Sequence, residues 1–160
     1  MEFWDLYTAD RILVGRTHVR GDILPMDNYH MVVRVCILNT KGECLISKRA
    51  SDKVPWPNLW EIPGGAAVAG EDSLMAALRE VKEELGIKLD PSGGITIGEQ
   101  WNDECFIDVW RFVQDVDIRD IQFQPGETCD AMWVSEEKTR EMINSGAFPP
   151  GFDDYFNLLF

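Results

Sequence analysis

Three carboxylates lie close together on one predicted helix within residues 65–87, and this feature constrains the fold more than any other. The segment reads GAAVAGEDSLMAALREVKEELGI. At about 100° per residue, Glu80, Glu83 and Glu84 fall within a sector of roughly 100°. The apolar residues of the helix fall on a different sector that would face a core: Leu74, Ala77, Leu78, Val81 and Leu85. The segment therefore predicts an amphipathic helix with an acidic edge.

The acidic edge indicates a cation site. Like charges three and four residues apart destabilise an isolated helix by about 0.2–0.5 kcal/mol per pair. A bound cation would turn this repulsion into ligation, and carboxylate oxygens suit Mg²⁺ or Mn²⁺. The alternative is a solvated helix rich in glutamate. That alternative accounts for the charges but not for the positions of Gly65, Glu71 and Gly86.

The spacing of these residues resembles the Nudix box, G-x5-E-x7-R-E-U-x-E-E-x-G-U, where U is aliphatic. Residues 65–87 match every specified position, and a chance match at one start point has a probability on the order of 10⁻⁹. The resemblance implies an α/β protein, a Nudix-type α/β/α sandwich with a mixed sheet. It also implies a hydrolase that uses Mg²⁺ or Mn²⁺ to cleave a diphosphate linkage in a nucleoside diphosphate joined to another moiety.

The resemblance further assigns roles within the box. Glu80, Glu83 and Glu84 take the positions of metal ligands, and Glu83 and Glu84 would hold the metal that faces the phosphates. The backbone carbonyl of Gly65 would approach the metal, where a Cβ would obstruct it. The remaining two residues have supporting roles: Arg79 orients the carboxylates, and Glu71 supports the box loop or acts as an outer metal ligand.

Residues outside the box are candidates for the general base and for substrate contacts. Glu127, six residues before Trp133, has the spacing of a base in several Nudix hydrolases; the alternatives are Glu99, Asp103 and Glu104. A glutamate in a loop is by default solvated. Arg49 follows a predicted strand and would meet either phosphate or water. Trp56, in a proline-rich loop, is a candidate substrate contact.

The pattern of the remaining chain predicts one domain over residues 1–160, which includes an N-terminal hairpin extension in residues 1–29. β-Branched runs bounded by turn residues predict strands near residues 31–38, 44–47, 95–98, 106–113 and 131–134. The box helix would be capped by Asp72 or Ser73 and end at Gly86. Two more helices are expected, from Ser135 to about Ser145 and from Asp153 to Leu159.

Charge and composition limit the partners. The formal net charge is −13, which disfavours binding to nucleic acid polymers or anionic membranes but permits a small phosphorylated substrate. We expect neither a signal peptide nor a transmembrane segment. The four cysteines form no CxxC pair, which favours free thiols in the cytoplasm. The sequence is compatible with a homodimer formed through the hairpin or through an exposed strand edge.

Two alternative functions follow from the same residues. Residues 2–135 resemble a subgroup of Nudix proteins related to isopentenyl-diphosphate isomerases, whose mechanism needs an acidic cysteine near the box. The corresponding stretch here, residues 57–65, contains no cysteine, so hydrolysis is favoured. The other alternative is a domain that only binds a nucleotide or a protein. The retained box carboxylates argue against it.

Overall fold

A seven-stranded mixed sheet lies between one long helix and two shorter ones. The computed structural model describes all 160 residues. The strands are β1 Phe3–Tyr7, β2 Leu13–Val19, β3 His30–Leu38, β4 Cys44–Arg49, β5 Trp60–Glu61, β6 Gly64–Ala66, β7 Ile95–Trp101, β8 Cys105–Val113 and β9 Thr128–Val134. The helices are α1 Ser73–Leu85, α2 Glu136–Asn144 and α3 Asp153–Leu159, with 3₁₀ turns at Pro91–Gly93 and Ile118–Asp120.

The sheet has the order β5-β4-β3-β8-β7, and β6 and β9 add to β3 and β4. The β3–β8 pair is parallel and the other pairs are antiparallel. Strand β3 reads as a nearly continuous apolar run because both of its faces are covered. Val33 and Val35 pack in the core on the α1 side, whereas Cys36 packs in the core with α2 and α3. The predicted α/β/α sandwich is thus confirmed.

Helix α1 has the ends that its sequence predicts. The Asp72 carboxylate accepts a hydrogen bond from the Met75 amide at 2.8 Å, which satisfies one of the free N–H groups of the first turn. Gly86 ends the helix in the left-handed conformation at φ 69°, and its N–H donates to the Lys82 carbonyl. The apolar face lies against the sheet, with Val81 and Leu85 completely buried. The acidic edge is thereby turned away from the core.

The predicted N-terminal hairpin is present as β1 and β2, and it is docked on the box loop. The Ala69 amide donates to the Phe3 carbonyl at 2.8 Å, and the Gly70 amide donates to Asp5 Oδ2 at 2.7 Å. At the turn of the hairpin, Arg11 forms ion pairs with Glu99 and Asp108. The open end of the hairpin is therefore held beside the segment that leads into α1. None of the helices is long and apolar enough to cross a membrane.

Gly86 is expected to tolerate alanine less well than Gly42 does. Both have positive φ, but only at Gly86 would a Cβ meet another residue, 2.9 Å from Gln122 Cβ. We expect Gly42→Ala to cost about 1 kcal/mol of unfolding free energy and Gly86→Ala about 2–4 kcal/mol. Urea unfolding of both variants measures the difference. If both variants lose the same unfolding free energy, the contact with Gln122 does not restrict which residue fits at position 86.

Candidate active site

The carboxylates of α1 line a small polar cavity between the helix, the box loop and the hairpin. The cavity has a volume of about 130 Å³, and none of its lining residues is hydrophobic. It brings together residues from five parts of the chain: Glu2, Arg20, Lys53, Gly64, Gly65, Arg79, Glu80, Glu83, Glu84, Gln124 and Glu127. Six of these were predicted from the sequence as site residues: Gly65, Arg79, Glu80, Glu83, Glu84 and Glu127.

Arg79 organises the acidic residues around it. Its Nε and Nη2 donate to the two carboxylate oxygens of Glu71 at 2.7 and 2.9 Å. Its Nη1 donates to Glu80 Oε1 at 2.9 Å and to Glu83 Oε2 at 3.0 Å, and Nη2 also reaches the Ala66 carbonyl. The planar guanidinium suits this arrangement because its donors have a fixed fork geometry. One cation thus fixes the orientation of three carboxylates.

Glu71 lies behind Arg79 and not on the cavity wall. Its Oε2 also accepts a hydrogen bond from the Val68 amide at 3.0 Å, so the side chain ties the box loop to the helix. Of its two predicted roles, this geometry favours support of the loop over metal ligation.

Glu84 is a buried carboxylate that forms no salt bridge, although the charges of Lys53 and Arg34 are near enough to act on it. Its exposed fraction is 4%, and its one hydrogen bond is a long one of 3.3 Å from the Gly64 amide. Burial, followed by the charges of Glu61 and Glu80, raises the pKa of Glu84 to about 8. Burying a carboxylate with so few favourable interactions costs free energy of folding. A divalent cation bound to Glu84 would remove that cost. Burial also raises the pKa of Glu80, against the opposing charge of Arg79.

The donor set suits a hard divalent cation, although the carboxylates do not converge on one point. No group of three or more His, Cys, Asp or Glu side chains has the arrangement of a metal site. The carboxylates do not converge because ion pairs with Arg79 hold Glu80 and Glu83. Glu83 is about half exposed (49% for its side chain), so its carboxylate could turn towards a bound cation by giving up the bond to Arg79. A Cβ at Gly65 would lie 2.5 Å from Glu80 Oε1, so only glycine leaves this space open.

Glu127 enters the cavity from the loop before β9, where it forms an ion pair with Lys53. Hydrogen bonds position this loop, because the Gln122 and Gln124 amides donate to the Leu85 and Glu84 carbonyls at the end of α1. The alternative base Glu99 is bound to Arg11 instead. Asp103 and Glu104 do not line the cavity.

Two predicted substrate contacts lie outside the cavity. The Arg49 side chain is buried, where it donates to Glu61 Oε2 at 2.8 Å and to the Pro55 and Trp56 carbonyls. All three guanidinium nitrogens donate to these acceptors, which corrects the expectation that Arg49 is free to meet phosphate. Trp56 is 47% exposed and is not a lining residue.

Sequence reasoning missed five residues of the cavity wall: Glu2, Arg20, Lys53, Gly64 and Gln124. Glu2 and Arg20 lie at the open end of the hairpin and form an ion pair. Lys53 belongs to the loop between β4 and β5. The cavity therefore has two cations, Arg20 and Lys53, that face its carboxylates without being part of the box.

Comparison with known proteins gives consistent matches. The family model of the NUDIX domain matches residues 28–151. An uncharacterized Nudix hydrolase of Listeria monocytogenes is 44% identical over 161 residues, which cover 100% of this chain and 94% of the relative. An isopentenyl-diphosphate Delta-isomerase of Cutibacterium acnes is 27% identical, over 72% of this chain and 65% of that protein.

The crystal structure of DR0079 from Deinococcus radiodurans has the same fold. It superposes with a TM-score of 0.78 and 24% sequence identity, and the match covers 99% of this chain and 97% of that one. The family model begins at residue 28, whereas this structural match extends over the N-terminal hairpin as well.

Proposed function

The chain belongs to the Nudix family, and we propose that it is a divalent-metal-dependent hydrolase that cleaves a diphosphate linkage in a nucleoside diphosphate joined to another moiety. One observation carries the proposal: Arg79 holds Glu71, Glu80 and Glu83 around a polar cavity that also contains the buried Glu84. This arrangement stabilises a high density of negative charge at one place. Mg²⁺ or Mn²⁺ would be held by Glu80, Glu83, Glu84 and the Gly65 carbonyl.

When bound, a divalent cation neutralises charge on phosphate oxygens and lowers the pKa of a coordinated water. The residues of the chain then have separate tasks. Arg20 and Lys53 would bind phosphate oxygens, because they are the cavity cations that do not hold box carboxylates. Arg79 would keep the carboxylates in place and would not touch the substrate.

Glu127 would act as the general base. In the reaction, the water oxygen forms a bond to one phosphorus while the bridging P–O bond breaks, and Glu127 accepts the proton of the water. Binding of a phosphate by Lys53 would free Glu127 from its ion pair for this role. A general base of this kind contributes about 10²–10⁴-fold to the rate.

The thiols argue against the isomerase. Burial raises the pKa of Cys36 to about 12 and also raises the pKa of Cys44 and Cys105. The fourth thiol, Cys129, is exposed and does not line the cavity. Protonating an alkene needs an acid at the reaction centre, and no cysteine is placed to act as one.

The test is hydrolysis of a panel of nucleoside diphosphates, nucleoside triphosphates and diphosphate-linked nucleotides, analysed by ion-exchange chromatography. We expect turnover with Mg²⁺ or Mn²⁺ and little in EDTA. Glu127→Gln should lower kcat by about 10²-fold or more, whereas Glu104→Gln, in an exposed turn, should not. Lack of turnover across the panel would favour a binding domain, and proton exchange into isopentenyl diphosphate would favour an isomerase.

The two cavity cations should affect substrate binding. Arg20→Ala and Lys53→Ala should each raise KM by about tenfold, since a charged hydrogen bond contributes about 1.5–3 kcal/mol. Arg16→Ala is the control, because Arg16 is exposed on β2 and lies outside the cavity. An unchanged KM in the Arg20 and Lys53 variants would mean that phosphate is bound elsewhere.

A further inference from the structure

The carboxylate cavity is too small for a whole diphosphate-linked nucleotide. Its volume is about 130 Å³, which corresponds to about four water molecules at roughly 30 Å³ each. This space suits a cation and a phosphate group. The rest of a substrate must therefore lie on an adjacent surface.

A larger groove adjoins the cavity around α1. The groove has a volume of about 580 Å³, within the range of about 300–1,000 Å³ typical of small-molecule sites. It shares Arg79 and Glu83 with the cavity, and its other lining residues are Leu78, Lys82, Lys88, Leu89 and Pro91. We call these five residues the lysine groove.

The lysine groove has the chemistry of a site for an organic phosphate. Leu78 and Pro91 give it an apolar floor on which a flat ring can pack, whereas Leu89 is only 4% exposed. Lys82 and Lys88 are exposed, and neither forms an ion pair with a carboxylate in the structure. Two unpaired cations on one groove are notable in a chain with a net charge of −13. They complement a negatively charged ligand.

A simpler explanation covers only part of this arrangement. Lys82 is in the last turn of α1, where a cation interacts favourably with the helix dipole. That interaction does not account for Lys88, which lies beyond the end of the helix, or for the apolar floor. A second groove, of about 610 Å³, lies near Arg11 and Trp110 but shares no residue with the cavity. Only the lysine groove shares lining residues with the carboxylate cavity.

We propose that the lysine groove binds the part of the substrate beyond the cleaved diphosphate bond, and that this part is an organic phosphate with an apolar ring, such as a second nucleotide. The proposal rests on the proposed function, since it names the substrate class of that site. Lys82 and Lys88 would bind the phosphate of the second nucleotide, and its base would pack on Leu78 and Pro91.

Binding is tested apart from catalysis by titrating AMP into ¹⁵N-labelled protein in EDTA. We expect amide shifts at Lys82, Lys88 and Leu89 in the wild type, and at least about tenfold weaker binding in the variant K82E/K88E. K138E is the matched control, because Lys138 is also exposed, on α2, and already pairs with Glu141. Shifts confined to Gly64, Gly65 and Gln124, or absent altogether, would overturn the proposal even in an active hydrolase.

Assignment to the substrate is tested with two compounds that share the same adenylate anhydride. ADP has only one phosphate beyond the cleaved bond, whereas P1,P3-di(adenosine-5′) triphosphate has that phosphate followed by a second AMP, whose own phosphate ADP lacks. K82E/K88E should lower kcat/KM about tenfold or more for the dinucleotide and less than about twofold for ADP. Equal losses, or AMP binding with no hydrolysis of either compound, would make the groove a site for a separate nucleotide and overturn the assignment.

Discussion

Glu84→Gln is expected to lower kcat/KM by about 10²–10³-fold and, in EDTA, to make the protein more stable. Metal stabilisation of a transition state amounts to several kcal/mol, and each 1.4 kcal/mol is about tenfold in rate. The gain in stability arises because glutamine removes a buried charge but keeps an oxygen for the Gly64 amide. Activity and stability should therefore change in opposite directions.

The gain in stability should depend on pH with a definite sign. The pKa of Glu84 is about 8 in the folded protein, above its ordinary value of 4.5, so the folded state binds more protons than the unfolded state between these values. Wild-type stability in EDTA is thus lost as pH rises from about 4.5 through 8. Glu84→Gln should have little effect near pH 5 and stabilise by about 2–4 kcal/mol near pH 9.

Urea unfolding in EDTA at both pH values, together with steady-state kinetics in Mg²⁺, checks these results. Glu83→Gln is the matched control, because its side chain is about half exposed. That variant should lose activity without gaining stability at high pH. A Glu84→Gln protein with less stability than the wild type at pH 9 would show that the carboxylate is compensated in the metal-free fold.

Arg79→Ala is expected to destabilise the protein by about 3–5 kcal/mol and to abolish measurable turnover. Removing one partner of a buried ion pair leaves the others uncompensated, and the side chains of Glu71 and Glu80 are only 11% and 14% exposed. Arg79→Lys should restore only part of the stability, since an ammonium group cannot make the five hydrogen bonds of the guanidinium.

Urea unfolding and kinetics at a temperature where each variant is folded separate the two effects. Arg140→Ala is the control for loss of an arginine, because Arg140 forms an exposed pair with Glu136 on α2. It should cost less than about 1 kcal/mol. Wild-type activity in Arg79→Lys would mean that charge alone, without the fork geometry, orders the carboxylates.

Elements with local signals were predictable from the sequence. Helix α1 is defined by its apolar period and by the residues at its two ends, Asp72 and Gly86, and α3 by a similar apolar pattern. Strands β5 and β6 have two and three residues, too few to show a period. They exist because β4 and β3 offer backbone partners, and such pairing is set by tertiary structure.

The same distinction applies to the candidate site. The carboxylates and Arg79 are near neighbours in the chain, so their spacing in the sequence was enough to predict that they form a site. Arg20 and Lys53 reach the cavity only because the hairpin docks on the box loop and the β4–β5 loop folds towards it. Arg49 was misjudged for a related reason. The pairing of Ser47 with Glu61 places the Glu61 carboxylate within reach of Arg49, and no sequence pattern showed that contact.

The most direct test of the central claim is a crystal of the protein soaked in Mn²⁺ and measured for anomalous scattering. We expect a peak in the cavity with oxygens of Glu84 and of at least one of Glu80 and Glu83 within about 2.5 Å, near the distances of hard divalent cations. A crystal with no peak there, or with its only peaks on other carboxylates, would contradict the assignment of these glutamates as metal ligands.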